Sequence, residues 1–341
     1  CRLLWSKITE QYKGASDKSA LVHIHTDNSM YNKTVFDPYV NMLRTTTETM
    51  SAAVAGADSI SVYPFDAAFK ESDEFSRRIA TNQQILLKEE AYLDKIVDPA
   101  AGSYYIENLT NAIAEKAWDI FKTIESKGGF VSAIKANYIQ DEIMNMNAKR
   151  EADVAKRKTV IVGTNQYPNM TEAKAEITKK CCCNCHKEEG EFKTLKCNRQ
   201  AKPFEKLRLE VSNMANKPKV FLLTYGNLAM RNARAGFATN FFGVAGYDII
   251  NNQGFETGEQ GAKKAIEDKA DILVLCSSDD EYQELVKQVM PIVKGKIKHI
   301  VIAGNPVDNI EEFNNEGVTD YIHVKVNVLE SLQKYNSLLV K

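Results

Sequence analysis

An excess of charge of one sign is absent from this sequence of 341 residues. It contains 44 basic and 45 acidic side chains, which gives a formal net charge of −1 at pH 7. Proteins that bind nucleic acids or anionic membrane surfaces by electrostatic attraction carry basic patches or a basic excess. We therefore expect neither nucleic acid nor a membrane among the partners.

Long apolar runs are also missing, and the first residues lack the pattern of a leader. No stretch approaches the roughly 18 apolar residues that a membrane-spanning helix requires. Residues 1–5 do not combine a cationic region with an apolar one, so we expect no signal peptide. An initiator methionine is absent too, and Cys1 is therefore expected to differ from the native start of the protein.

Cysteine is scarce outside one short segment. Four of the seven cysteines lie within residues 181–185, and the others are Cys1, Cys197 and Cys276. This distribution lacks the spread of half-cystines that a disulfide framework requires, and it favours a reducing, cytoplasmic location.

The cysteine-rich segment has two interpretations. Its candidate metal ligands are Cys181, Cys183, Cys185, His186 and Cys197. Zinc sites prefer pairs of ligands separated by two to four residues, and adjacent cysteines chelate one ion poorly. The polar flanks of the segment favour a variable, exposed loop instead, and both interpretations stay open.

The first part of the chain alternates between strand and helix patterns, which is typical of a parallel α/β barrel or sheet. Asp37 is the predicted N-cap of the first of these helices, and Gly56 is predicted to close it. The strands are expected at residues 21–26 and 58–63, and the helices at 38–54, 74–93 and 110–126. The last helix is expected to turn five apolar side chains inward: Ile113, Ala117, Ile120, Phe121 and Ile124.

Residues 154–217 have a different texture. They are rich in lysine and show no sustained period, which predicts a connector much longer than ordinary loops. Part of this connector is expected to pack on a neighbouring domain through four apolar anchors: Phe204, Leu207, Leu209 and Val211.

Five short apolar strands alternate with helices after residue 219, which predicts a doubly wound, flavodoxin-like domain. The strands are expected at residues 220–224, 247–251, 272–276, 299–303 and 321–324. Ligands of such sheets bind at the carboxyl ends of the strands. The candidate site therefore comprises the loops 225–229, 277–281 and 304–306.

Several short segments carry the most specific information in the sequence. They read DPYVNMLR at 37–44, FSRRIA at 75–80, DPAAGSY at 98–104, and KRK with GTN at 156–158 and 163–165. These segments resemble the adenosylcobalamin-dependent methylmalonyl-CoA mutases. The segment FLLTYGNLAMR at 221–231 resembles the small-subunit branch of the two-subunit bacterial enzymes.

The resemblance implies an α/β fold in which the C-terminal portion of a (β/α)8 TIM barrel precedes a flavodoxin-like, doubly wound domain of the cobalamin-binding type. It places the partial barrel at residues 1–130, a connector at 131–216 and the cobalamin-binding-like domain at 217–341. A complete barrel needs about 250 residues. The chain is therefore expected to be a fragment that lacks the first part of the barrel.

Active members of the family offer a histidine to the cobalt of the cofactor within an Asp-x-His-x-x-Gly motif. The corresponding stretch of this chain has Leu228, Met230 and Ala233 in place of Asp, His and Gly. A thioether is a poor substitute for imidazole in that role, and Arg231 cannot ligate because it stays protonated. This departure argues against the usual mode of cobalamin binding.

Other loops resemble the family's contacts to the nucleotide tail of cobalamin. The remnant cofactor-binding positions are Gly226, Leu228, Met230, Ser277, Ser278 and Gly304. Asp279 and Asn305 add charge and bulk where the family's backbone approaches the cofactor closely. In the alternative interpretation, Ser277 and Gly304 are ordinary turn residues.

One candidate catalytic residue lies in the first part of the chain. His25 aligns with an active-site histidine of the family's catalytic subunit. Tyr63 and Ala67 stand where that subunit uses Asn and Glu near the adenosyl group. His25 is either a remnant of a degenerate pocket or a satisfied histidine at the end of a strand.

The resemblance implies the small subunit of a methylmalonyl-CoA mutase. The chain is expected to be non-catalytic by itself and to pair with a large catalytic subunit. The heterodimer would then isomerise methylmalonyl-CoA and succinyl-CoA with adenosylcobalamin, so the acyl-CoA substrate and the cofactor belong to the complex. Two alternatives stay open: an active acyl-CoA mutase with divergent cobalamin ligation, and a cobalamin or acyl-CoA binding module.

Overall fold

The computed structural model describes residues 1–172, 177–178, 192–195 and 198–339. The chain divides into two compact units. Unit 1 comprises Cys1–Lys149 and Glu176–Arg199, and unit 2 comprises Arg150–Ala175 and Gln200–Lys341. Both units combine helices with parallel strands, which confirms the prediction of a mixed α/β protein.

Unit 1 contains a pair of short parallel strands. Its elements in chain order are α1 (Arg2–Thr9), α2 (Asp17–Ala20), β1 (His25–Asp27), α3 (Val40–Val54), β2 (Ser59–Ser61), α4 (Glu74–Glu89), α5 (Tyr104–Ser126), α6 (Phe130–Lys135) and the part of α7 (Tyr138–Ala155) up to Lys149. Strands β1 and β2 pair with His25 opposite Ser59 and Asp27 opposite Ser61. The predicted strands and helices are present, although both strands are shorter than predicted.

The predicted N-cap of α3 is wrong, whereas its predicted end is confirmed. Asp37 adopts a left-handed backbone conformation with φ of 49°. The helix begins three residues later, at Val40, with Tyr39 at the N-cap position. Asp37 instead starts a turn, in which its carbonyl oxygen accepts a hydrogen bond from the amide of Val40 at 3.1 Å. Gly56, with φ of 71°, follows the last turn of the helix.

The buried side of α3 is polar rather than apolar. Asn41, Thr45 and Thr49 are at most 1% exposed, whereas Leu43 and Met50 are 67% and 45% exposed. The helix of a globular protein usually turns its apolar stripe, here Leu43 and Met50, towards the core. The apolar stripe of α3 therefore lies on the surface of unit 1.

Hydrogen bonds from α3 to α4 and to the segment before α3 account for the polar contact. The side-chain amide of Gln83 donates to the carbonyl oxygen of Met42 and to the hydroxyl of Thr45, both at 3.0 Å. The side-chain amide of Asn41 donates to the carbonyl oxygen of Thr34 at 2.8 Å. Each such bond stabilises the fold by about 1 kcal/mol, which is enough to keep this polar stripe inside.

Helix α5 begins six residues before the predicted start and buries none of its residues. The prediction of an inward face is therefore wrong for the five apolar residues Ile113, Ala117, Ile120, Phe121 and Ile124. Ile113 and Ile120 are 61% and 54% exposed. Neither α5 nor another helix of the described residues is long and apolar enough to cross a bilayer.

Unit 2 is built on a five-stranded sheet in which every paired strand is parallel to its neighbour. Its elements after α7 are α8 (Lys202–Ser212), β3 (Lys219–Thr224), α9 (Leu228–Gly243), β4 (Asp248–Ile250), α10 (Gly258–Glu267), β5 (Ile272–Cys276), α11 (Tyr282–Val293), β6 (His299–Ile302), α12 (Ile310–Glu316), β7 (Asp320–Tyr321) and α13 (Val328–Leu339). The strand order is β4-β3-β5-β6-β7. The five predicted strand–helix pairs are confirmed.

The sheet is covered on both faces, as expected for strands that are apolar throughout. Val220 and Leu222 of β3 belong to one buried cluster, and Phe221 and Leu223 belong to the other. These four side chains are at most 1% exposed. Burial of each one stabilises the fold by roughly 1.5–3 kcal/mol, so the sheet forms a well-packed support for its loops.

The predicted connector contributes to the core of unit 2. Helix α8 buries Phe204, Leu207 and Val211, which confirms three of the predicted anchors, whereas Leu209 is only half-buried. The three buried residues belong to the same cluster as Val220 and the other residues of that face of the sheet. Proline near the start of α8 fits its first turn, where an amide donor is not needed.

Candidate functional site

The candidate site lies at the carboxyl ends of β3 and β5. The chain leaves β3 for β4 on one side and later enters β5 on the other, so the direction of winding changes between these two strands. In doubly wound sheets this switch point is where ligands bind. Thr224 pairs with Cys276, and the amide of Tyr225 donates to the carbonyl oxygen of Cys276 at 3.1 Å. The predicted loops after the two strands therefore lie side by side.

The loop after β3 is short because α9 begins almost at once. The side-chain oxygen of Asn227 accepts hydrogen bonds from the amides of Ala229 and Met230, both at 3.1 Å. This is an N-cap, which fixes the start of α9 at Leu228. Leu228 and Met230, two of the predicted site residues, lie in its first turn and are 62% and 37% exposed.

Glu281 spans the crevice between the two loops. Its carboxylate accepts hydrogen bonds from the hydroxyls of Ser277 and Ser278 at 2.6 and 2.7 Å. It also accepts from the amide of Asn227 at 3.1 Å and from the amide of Ser278 at 3.2 Å. Partial burial acts to raise the pKa of Glu281, but these hydrogen bonds outweigh it and lower the pKa to about 2.

The position of this carboxylate leaves no room for a side chain at Gly226. Its φ of 72° lies in the left-handed region that favours glycine. A Cβ atom on Gly226 would also overlap the carboxylate of Glu281. The predicted residue Gly226 therefore lies at the site, but the group that it approaches is a side chain of the same chain.

A salt bridge lies beside Gly304, the predicted residue after β6. The guanidinium of Arg234 donates to the carboxylate of Asp279 at 2.9 Å. A Cβ atom on Gly304 would lie 3.3 Å from this carboxylate oxygen and from the Tyr282 ring. The carboxylate of Asp279 therefore lies in close contact with the backbone at Gly304.

The hydroxyl of Tyr282 joins the ends of β5 and β6. It donates to the carbonyl oxygen of Ala303 at 2.8 Å and accepts from the amide of Ser277 at 3.2 Å. Burial raises the pKa of Tyr282 well above its usual range. Ser277 itself is fully buried, and its hydroxyl lies 2.9 Å from the carbonyl oxygen of Tyr225. The predicted Ser277 therefore lies within the hydrogen-bonded framework of the two loops.

The residues of this edge do not fit the cobalt-ligand set that the resemblance implies for cobalamin. On the first turn of α9, the side chain that could ligate a metal is the thioether of Met230. This turn contains no histidine. Among the described residues of unit 2, His299 begins β6 at the opposite edge and His323 follows β7. The carboxylate of Glu281 also fills the space against Gly226.

His25 in unit 1 lies in a row of polar side chains on β1 and β2. Its Nδ1 atom lies 2.7 Å from the Ser59 hydroxyl, and its Nε2 atom lies 3.3 Å from the Ser61 hydroxyl. The hydroxyl of Tyr63 donates to the Asp27 carboxylate at 2.9 Å, and this bond raises the pKa of Tyr63. The serines supply partners to both ring nitrogens of His25, and its identity as a remnant active-site position stays a prediction.

The predicted metal ligands Cys181, Cys183, Cys185, His186 and Cys197 lie outside the described residues. Within the described residues, no group of three or more His, Cys, Asp and Glu side chains could hold a metal ion. The free cysteines of that part of the chain are Cys1, which is exposed, and Cys276, which is buried. Burial raises the pKa of the Cys276 thiol well above its usual range.

Sequence reasoning included Glu281 as the last residue of the predicted loop 277–281 without assigning it a role, and it missed Tyr282 and Arg234. One signal was available, because Ser278 and Glu281 are spaced as a capping box ahead of a helix. No sequence pattern indicates that the same carboxylate also accepts from the amide of Asn227, 54 residues earlier.

Comparison with known proteins gives concordant matches. Residues 1–239 match the family model described as methylmalonyl-CoA mutase. The methylmalonyl-CoA mutase small subunit of Porphyromonas gingivalis is 48% identical over 343 residues, which cover 98% of this chain and 54% of that protein. The probable methylmalonyl-CoA mutase small subunit of Mycobacterium tuberculosis is 32% identical over 341 residues, which cover 97% of this chain and 52% of that protein.

A shorter match extends to another type of relative. The methylmalonyl-CoA mutase of Rhizobium meliloti is 39% identical over 176 residues, which cover 52% of this chain and 25% of that protein. The chain spans about half the length of the small-subunit relatives that it matches.

Proposed function

We propose that this chain, which belongs to the methylmalonyl-CoA mutase family, acts as part of a non-catalytic small subunit that pairs with a large catalytic subunit. The observation that carries the proposal is the similarity, over 98% of the chain, to a protein named as a small subunit. A small subunit implies a larger partner, and we propose that the activity belongs to the heterodimer.

In this assignment the isomerisation of methylmalonyl-CoA and succinyl-CoA takes place in the large subunit. Adenosylcobalamin supplies the radical chemistry when it is bound there. This chain contributes no cobalt ligand, because Met230 stands in place of histidine and Leu228 in place of the aspartate that would orient it. His25 is a remnant position in this proposal and takes no part in the reaction.

The two units are assigned to the two domains of the family. We assign residues 1–130 to the C-terminal portion of a TIM barrel, residues 131–216 to the connector and residues 217–341 to a flavodoxin-like domain. The parallel pairing of β1 with β2, with helices between and after them, supports the first assignment. The strand order β4-β3-β5-β6-β7 corresponds to the order 2-1-3-4-5 of flavodoxin-like sheets. This order supports the assignment of residues 217–341 to a flavodoxin-like domain.

Exposed apolar side chains of unit 1 support the presence of a large protein partner. Leu43 and Met50 of α3 are 67% and 45% exposed, and Ile113 and Ile120 of α5 are 61% and 54% exposed. Obligate interfaces are large and apolar, and such stripes are the surfaces that they cover. The subunit pair is proposed to work in the cytoplasm.

Co-expression with candidate large subunits tests this function. We expect the chain to co-purify with one of them at a 1:1 ratio. We also expect the lone chain to show no turnover of methylmalonyl-CoA, and the pair to show more turnover than the large subunit alone. Turnover by the lone chain at a rate comparable with the pair would contradict the proposal.

A further inference from the structure

Glu281 differs from the other acidic residues near the carboxyl ends of the strands in the number of donors that surround it. Two hydroxyls and two backbone amides converge on its carboxylate, at distances between 2.6 and 3.2 Å. By contrast, Asp279 pairs with Arg234 and is 59% exposed, and its neighbour Asp280 is also exposed. A set of convergent hydroxyl and amide donors is the arrangement with which proteins bind oxyanions.

A capping box explains only part of this arrangement. It accounts for the contacts of Glu281 with the hydroxyl and amide of Ser278, which cap the turn before α11. It does not account for the amide of Asn227, which belongs to the loop after β3. Nor does it account for the hydroxyl of Ser277 or for the missing side chain at Gly226. Asn227 and Gly226 belong to the loop after β3, and Ser277 directly follows β5.

The carboxylate of Glu281 lies where a doubly wound sheet would bind a ligand. It lies at the switch point between β3 and β5, where doubly wound sheets bind their ligands. It also lies at the start of α9, where the dipole of a 16-residue helix favours negative charge. The two nearby arginines contact other groups, because Arg234 pairs with Asp279 and Arg231 donates to the carbonyl oxygen of Gln253 at 2.9 Å.

We propose that the crevice of unit 2 is an oxyanion-binding pocket that is occupied by the carboxylate of the chain itself. Glu281 takes the place of an anionic ligand such as a phosphate group and closes the loops after β3 and β5 onto each other. Unit 2 then needs no ligand to hold these loops in place. The inference concerns only the loops of unit 2 and does not depend on the proposed function.

Replacement of the carboxylate tests the proposal in the full chain. Glu281→Ala removes the internal anion, Glu281→Asp keeps the charge but shortens the side chain, and Asp280→Ala is the matched control for loss of charge. Inorganic phosphate is the probe, and sodium chloride of equal ionic strength is the reference. The readout is the unfolding temperature of each variant at pH 7 in both salts.

The expected pattern follows from the geometry. In chloride, Glu281→Ala unfolds several degrees below Asp280→Ala, and Glu281→Asp lies between them because it cannot reach Asn227. In phosphate, the unfolding temperature of Glu281→Ala recovers at least half of its deficit. The wild type and Asp280→Ala, which both keep the Glu281 carboxylate, gain equally, and less than Glu281→Ala. Equal gains for Glu281→Ala and Asp280→Ala in phosphate would overturn the proposal.

A measurement on the unmodified chain covers the case in which Glu281→Ala fails to fold. The amides of Asn227 and Ser278 donate to the carboxylate, and they lie outside the regular hydrogen bonds of α9 and α11. Both amides should therefore exchange with deuterium at least tenfold more slowly than the exposed amide of Asp280. Exchange of both at the rate of Asp280 would show that the carboxylate does not hold the crevice, and would overturn the proposal.

Discussion

Removal of the Tyr282 hydroxyl should destabilise unit 2 more than removal of a partly exposed tyrosine hydroxyl. In the wild type this hydroxyl donates to the carbonyl oxygen of Ala303 and accepts from the amide of Ser277, at 2.8 and 3.2 Å. The ring is fully buried, so the change Tyr282→Phe leaves its packing in place. The change therefore isolates the two hydrogen bonds.

The expected magnitude comes from the two groups that lose their partner. Ser277 is fully buried, and water has no access to its amide when the hydroxyl is removed. A buried donor or acceptor without a partner costs about 1–3 kcal/mol. With two such groups, Tyr282→Phe should lower the free energy of unfolding by about 2–6 kcal/mol.

Urea denaturation of the full chain measures this effect, with Tyr321→Phe as the matched control. The Tyr321 hydroxyl donates to Asn314 at 3.0 Å and is partly exposed, so its removal should cost less than about 1 kcal/mol. The denaturant dependence of the transition for unit 2 should be unchanged, because the folded surface stays the same. Equal losses for the two variants would refute the assignment of Tyr282 as the link between β5 and β6.

Three further predictions concern pH, the boundary of unit 2 and the cysteine segment. The folded-state pKa of Glu281, about 2, lies below its ordinary value, so its stabilising effect is present above about pH 4.5 and is lost as the pH falls towards 2. The difference in stability between the wild type and Glu281→Gln should therefore narrow between pH 5 and pH 3, and a constant difference would contradict this. The fragment 198–341 should unfold at a higher urea concentration than 217–341, because the shorter one lacks the buried side chains of α8; equal midpoints would count against this packing. Purified protein should contain well under one zinc ion per chain by elemental analysis, and one ion per chain would favour the metal-site interpretation of the segment.

The fold of unit 2 could be predicted because its central strands are almost entirely apolar and alternate with helices. The strand at residues 272–276, for example, is fully buried on both faces, and its sequence leaves few other structures open. The bounds of all five strands were predicted to within a few residues. The contribution of α8 was harder to predict, since its apolar residues are interrupted by charged ones and by buried Glu205 and Arg208.

Unit 1 shows where apolar periodicity fails as a guide. Leu43 and Met50 recur at helical spacing, yet the buried residues of α3 are Asn41, Thr45 and Thr49. The contact with Gln83 decides the orientation of the helix, and a partner 38 residues away in the sequence is not visible in a local pattern. The same reasoning applies to α5, whose apolar face has no buried residue within the described structure.

The loops of the candidate site could be predicted from topology alone, but their contacts could not. Ligand sites of doubly wound sheets follow the carboxyl ends of the strands, and Gly226 and Ser277 lie there. The role of Gly226 depends on a carboxylate 55 residues later in the chain, which only the folded structure brings to it. The spacing of Ser278 and Glu281 is typical of a cap, but nothing in the sequence indicates that Glu281 also contacts the loop after β3.

The central claim is that this chain contributes no cobalt ligand and acts as a non-catalytic subunit. A spectroscopic titration of this chain alone with adenosylcobalamin tests it most directly, with a large catalytic subunit as the positive control. The account predicts no saturable change in the cobalt spectrum at concentrations that saturate the large subunit. Tight binding by the lone chain, with the spectrum of histidine-ligated cobalt, would contradict it.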